Sequence, residues 1–100
     1  MYIQLDKIIE NIIFVRYQFN IKIQGDSYLS KSGDLRYKVK KIYGYCKFNK
    51  QTEEFELDKE NTDPYFMETK REIIHIHANL IRRKRENLGY PDIIDIATGG

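Results

Sequence analysis

The sequence predicts a small α+β domain: a mostly antiparallel sheet with one long helix on a face, in the order αβββαβ. Three observations carry this expectation. Ile13, Val15, Tyr17, Phe19, Ile21 and Ile23 alternate with Phe14, Arg16, Gln18, Asn20 and Lys22, the two-residue period of a half-buried strand. Asp63-Pro64 opens a long stretch that Gly89 and Pro91 close, the start and stop signals of a helix. Between them, short apolar runs are separated by Gly, Ser, Asn and Asp, as in a sheet joined by turns.

Element by element, Leu5, Ile8, Ile9 and Ile12 recur at helical spacing, which predicts a short amphipathic helix over 3–11. A strand follows over 13–23, with its boundary near Asn11. Residues 25–34, "GDSYLSKSGD", read as a loop by composition. A second strand starts at Leu35, with Leu35, Tyr37 and Val39 on one face and Arg36, Lys38 and Lys40 on the other. "NKQT" (49–52) reads as a hairpin turn, and Phe55 and Leu57 mark a third strand. A helix over about 64–88 places Phe66, Ile73, Ile74, Ile76, Leu80, Ile81 and Leu88 on one core-facing stripe. "DIIDIA" (92–97) is a last short β-branched strand.

One hundred residues make a single domain, 1–100, able to bury a core without staples. A net charge of +2 does not by itself imply a polyanion partner. The single cysteine, Cys46, excludes an internal disulfide and fits a reducing, cytoplasmic compartment. The N-terminal run lacks a basic region and meets Asp6 early, unlike a signal peptide. No apolar run approaches membrane-spanning length, so no membrane partner is expected.

"REIIHIHANLIRRKREN" (71–87) poses a choice. On a strand His75 and His77 would share a face and converge on a metal. On a helix they stand about 200° apart and cannot chelate, and the length of the segment favours the helix. His77 then falls in the core stripe, as a buried histidine with one hydrogen bond, and His75 faces solvent. Arg71 and His75 share an exposed face with Glu68, Glu72 and Glu86, which reads as a mixed-charge surface. The Arg71-x₅-His77 spacing resembles that of HEPN ribonucleases as a bare spacing within an unlike, all-helical fold. Arg82, Arg83, Lys84 and Arg85 point in four directions around a helix and favour the negative end of its dipole.

"KIYGYCKF" (41–48) resembles the RNP1 motif of RNA-recognition-motif domains, K/R-G-F/Y-G/A-F-V-x-F/Y. Lys41, Tyr43, Gly44 and Phe48 match, Tyr45 is an aromatic substitute, and Ile42 and Cys46 depart from it. "IFV" (13–15) is similar to the start of the companion strand. The resemblance implies that Tyr43 and Tyr45 stack on bases and that Lys41 meets a phosphate. The segment between the two strings shows no helix, so the element order departs from that family's βαββαβ.

With "NKQT" as the turn, Phe48 should pair with Glu53, Lys47 with Glu54, Cys46 with Phe55, Tyr45 with Glu56 and Gly44 with Leu57. Phe48, Cys46 and Gly44 then face the core, and Tyr43, Tyr45 and Lys47 face out beside Glu54 and Glu56. The change of inward parity between Val39 and Ile42 predicts a β-bulge at Lys40–Lys41. No phosphate-binding glycine loop, calcium loop or nucleophile–base pair is legible, and a Cys46–His77 pair across the core would be structural. These observations predict a non-catalytic interaction or regulatory module with no cofactor and no metal. Its partner would be another protein or a second copy, met by a sheet face carrying Arg36, Lys38, Lys41, Tyr43, Tyr45 and Lys47. Nucleic acid is the alternative partner for that face, and a small ribonuclease using Arg71 and His75 ranks third.

Overall fold

A computed structural model describes residues 2–67 and 70–97, and among them the side chains other than those of 23–25, 39 and 40. The described residues form one five-stranded antiparallel sheet in the order β4-β3-β2-β1-β5. The strands are β1 (Tyr2–Glu10), β2 (Phe14–Leu29), β3 (Leu35–Asn49), β4 (Phe55–Leu57) and β5 (Ile93–Ala97). A 3₁₀ turn, Pro64–Phe66, and one helix, α1 (Arg71–Arg85), connect β4 to β5. The first four strands are sequential neighbours, and the helical connection returns the chain to the far edge beside β1.

The first element corrects the expected helix over 3–11. Tyr2 to Asp6 alternate out and in, with Ile3 and Leu5 fully buried opposite Ile21 and Phe19. The apparent helical spacing arises further on, where the pairing with β2 shifts between Lys7 and Ile9. The extra residue, Ile8, breaks the two-residue period and places consecutive isoleucines in the sequence. The boundary at Asn11 holds: its Oδ1 accepts from the Ile13 and Phe14 amides at 2.8 and 2.9 Å, closing a tight reversal.

One face of the sheet carries the core. Val15, Tyr17, Phe19, Ile21, Ile42, Cys46 and Phe48 are buried with Ile94, Ile96 and, from the helical layer, Phe66, Ile76 and Leu80. Asp63 accepts from the Tyr65 amide at 2.9 Å, so the Asp-Pro pair does cap a helical turn, though a 3₁₀ one. The Phe66 ring meets Phe19 edge-on at 4.9 Å. The helix is shorter than the expected 64–88, and residues 68 and 69 of that span lie outside the described residues. Ile73 and Ile81 pack on the core while Ile74 and Leu88 are exposed. Glu72, expected on the outer face, is buried and receives the Tyr65 hydroxyl at 3.3 Å.

The helix stops at Arg85 because Asn87 turns left-handed (φ 54°). The Leu88 and Asn87 amides then reach back to the carbonyls of Arg83 and Lys84, satisfying two of the free C-terminal carbonyls. Asn87 thus takes the role expected of Gly89. The last predicted strand is present as β5, with Ile94 and Ile96 inward. No helix among the described residues is long and apolar enough to cross a membrane.

Candidate functional site

Strands β2 and β3 are far longer than their neighbours. β1 pairs with β2 only as far as Ile3–Ile21, and β4 pairs with β3 only over Cys46–Phe48. Beside β4, the Asp58 and Asp63 amides and the Thr62 hydroxyl continue the edge as far as Tyr43. Beyond these points, among the described residues, β2 and β3 pair only with each other, through Lys22–Lys41 to Leu29–Leu35. Of the expected loop over 25–34, the first half, 25–29, is therefore strand, and only Ser30–Asp34 turns. The Ser30 and Gly33 amides close that turn on the carbonyls of Asp34 and Ser30, both at 2.9 Å, with Gly33 at φ 84°, a conformation open to glycine at little cost.

The result is a two-stranded arm projecting from the helix-covered body. The molecule measures 54 × 28 × 22 Å with a radius of gyration of 15.8 Å, where a compact chain of this length has about 13 Å. Tyr28, Leu29, Leu35 and Tyr37 on the arm are all exposed, Leu29 by 72%. No described residue covers them.

A register shift does occur, but on β2 between Gln24 and Ser27, not at Lys40–Lys41. The strand β3 is regular throughout, so its side chains keep one alternation from Leu35 to Asn49. Lys41, Tyr43, Tyr45 and Lys47 share the outer face with Tyr37 and Leu35. Arg36 and Lys38 lie on the opposite face, in line with the core residues Ile42, Gly44, Cys46 and Phe48. The six candidate residues therefore do not form one surface. The inward placement expected of Val39 and Ile23 concerns side chains outside the described residues.

On the outer face, Tyr43 is exposed with the Lys41 ammonium 5.5 Å from its ring centroid, a cation–π distance. Tyr45 is half-buried, and its hydroxyl accepts from Gln18 Nε2 at 3.3 Å. The ammonium of Lys47 sits 4.6 Å from the Phe14 ring. The β3–β4 register is slipped by two from the expected one: Phe48 pairs with Phe55, Lys47 with Glu56 and Cys46 with Leu57. A slip of two preserves the faces but moves the acidic strand away from Tyr43 and Tyr45 to Lys47. The hairpin loop is longer than "NKQT", with the Asn49 amide donating to the Glu54 carbonyl at 2.9 Å.

Gly44 has a packing reason. An added Cβ would lie 2.2 Å from Phe19 Cζ, so the glycine of the Tyr-Gly-Tyr string makes room for a core ring.

The two histidines sit on α1 and do not converge, as the helical period requires. His77 is half-buried: its Nε2–H donates to the Glu53 carbonyl at 2.8 Å, and its ring lies against Phe55 and Phe48. His75 is half-buried and Arg71 exposed. No group of three His, Cys, Asp or Glu side chains that could hold a metal occurs among the described residues. Burial pushes the Cys46 thiol up to about 12, which leaves it a small core side chain and a poor nucleophile.

Charge is partitioned unevenly. Residues 22–41 hold six of the seventeen Lys and Arg residues and two of the fifteen acidic ones, a net +4, which leaves −2 on the rest. On the body, Glu10 meets Lys7 and Lys50, Asp58 meets Arg16, Glu53 meets Lys84 and Arg85, and Glu86 meets Arg82. The basic end of α1 is thus largely committed within the chain. Among the described side chains of the arm, Lys22, Lys31, Arg36 and Lys38 are exposed and no carboxylate lies within ion-pair distance of them. Tyr28, Leu29 and Lys31 were not legible as site residues, because the Gly and Ser content of 25–34 hid the strand end and its turn, and Lys22 and Tyr37, on expected strands, carry no sequence sign that the flanking strands stop short of them.

No protein-family model matches the sequence, no curated protein matches it, and no solved structure matches the chain.

Proposed function

We propose that the chain is a non-catalytic binding module that engages nucleic acid through the β2–β3 arm. The observation that carries this reading is the set of exposed, uncompensated cations on a projecting ribbon that also exposes Tyr28 and Tyr37. Phosphates attract such cations and release condensed counterions on binding, and tyrosine faces give sequence-tolerant stacking. Placing the contact on the arm replaces the single sheet face expected from sequence. Lys41 and Tyr43 remain available at its base. The test is a titration of labelled RNA and DNA oligonucleotides at 50 and 200 mM salt. Four phosphate contacts would weaken affinity about a hundredfold over that range, and Arg36→Ala/Lys38→Ala should flatten the dependence. Salt-insensitive binding, or none, would remove the reading.

A second reading, self-association through protein contacts, is favoured by one observation at the opposite end of the sheet. Ile8, Ile9, Ile12 and Ile13 are all at least half exposed, Ile12 by 87%. The first three border an open depression of about 580 Å³ with Lys7, Glu10, Lys50 and Asp92. Exposed apolar clusters of this kind mark contact surfaces. Sedimentation velocity across a hundredfold concentration range tests it: Ile9→Lys/Ile12→Lys should abolish any concentration-dependent increase in size.

A further inference from the structure

We infer that the arm is a groove-reading ribbon for double-stranded DNA, which rests on the nucleic-acid reading above and names the form of nucleic acid bound. The carrying observation is the distribution of charge about the ribbon. Lys22 and Lys41 pair across the strands on one face, Arg36 and Lys38 lie on the other, and Lys31 stands in the turn between. A sheet that stacks single-stranded bases needs its cations beside its aromatics on one face. Here the cations are split between two faces, so no single face can use them all. A ribbon seated edge-on in a groove turns one face to each phosphate wall and uses both.

Dimensions agree. The major groove of B-form DNA is about 12 Å wide and about 8.5 Å deep and admits a two-stranded ribbon. Eight residues of β2 from Lys22 to Leu29 extend about 26 Å at the rise of a strand, with both ribbon edges unpaired among the described residues. The deep, narrow major groove of A-form RNA excludes such an element. At the leading end, Leu29 pairs with Leu35, 72% and 61% exposed. An apolar pair there suits the thymine methyls that line the major groove, whereas water gains nothing from it.

The experiment is fluorescence anisotropy of a labelled 20-base-pair DNA duplex, either of its strands alone, and an RNA duplex of the same sequence, over a salt series. The DNA duplex should bind at least tenfold tighter than the single strand or the RNA duplex. Arg36→Ala and Lys38→Ala should each lower the salt slope by about one. Leu29→Ser/Leu35→Ser should weaken duplex binding several-fold while leaving the slope unchanged, because apolar contact releases no counterions. Circular dichroism of each variant checks that the fold persists, which the exposure of all four side chains makes the expected result. Equal or tighter binding of the single strand, lost in Tyr43→Ala/Tyr45→Ala, would overturn the groove assignment and leave the nucleic-acid reading standing. Tighter binding of the RNA duplex would overturn it in the same way. Failure to bind any of the probes at 50 mM salt would overturn both.

Discussion

Gly44 shows how a single residue can look functional and serve packing. The Tyr-Gly-Tyr string resembles a base-stacking motif, yet the glycine faces inward and the ring of Phe19 fills the space a methyl group would need. Phe19 cannot retreat, because Phe66 closes on it from the helical layer and it is fully buried. Gly44→Ala should therefore cost about 1–3 kcal/mol, the usual range for overpacking a core, read as a lower urea midpoint at constant m-value. Removing the obstacle should repair part of it. The double variant Phe19→Leu/Gly44→Ala should lose less than the sum of the two single-variant losses. Strict additivity would show that the strain lies elsewhere.

At the scale of elements, the inward pattern of β2, the β3 core face and β5 was legible because burial on one face imposes a period of two. The apolar pattern departs from strand at β1, where the bulge at Ile8 imitates helical spacing, and at 26–29, where solvent-exposed strand carries none of the alternation that burial selects. The helix ends earlier than expected for a local reason: Asn87 adopts the left-handed turn that glycine usually supplies. The β3–β4 loop is longer than its local sequence implies because its anchor is tertiary. Glu53, itself at φ 64°, accepts from His77 through its carbonyl and holds Lys84 and Arg85 through its carboxylate. Those cations, Arg85 first, lower its carboxyl below the ordinary value near 4.5. Glu10, where β1 turns into β2, is lowered in the same sense by Lys50 and then Lys7. A depressed folded pKa gives stability that is present above the unfolded value and lost as pH falls through the folded one. Melting temperature should accordingly hold from pH 7 to about 5 and decline below about 4.3. Glu10→Gln and Glu53→Gln should each lower it at pH 7 and flatten the acid limb. An acid limb as steep in both variants as in the parent would assign the titration to other carboxylates.

For the whole molecule, the sheet divides into a body and an arm that share two continuous strands but not one environment. Over residues 15–21 and 42–48, β2 and β3 lie between flanking partners, with α1 and Phe66 over their inner face. Past Ile21 and Ile42 the flanking pairings end and every described side chain is exposed except Ser30. A two-stranded ribbon in water has marginal stability, and its backbone hydrogen bonds are open to solvent from both edges. Native-state hydrogen exchange should resolve this boundary. Amides of Tyr17, Phe19 and Cys46 should exchange only through global unfolding, while those of Tyr28, Arg36 and Tyr37 exchange on the order of a hundredfold faster or more through local opening. Denaturant should accelerate the first group and leave the second nearly unchanged, since opening the arm exposes little buried surface. The same opening links the arm's stability to its ligand. A partner that binds only the closed ribbon slows the second group by the factor 1 + [L]/Kd and leaves the core amides to report global stabilisation alone. Uniform protection along both strands would mean that arm and body unfold together, and the arm would then be part of the cooperative unit instead of an appended contact element.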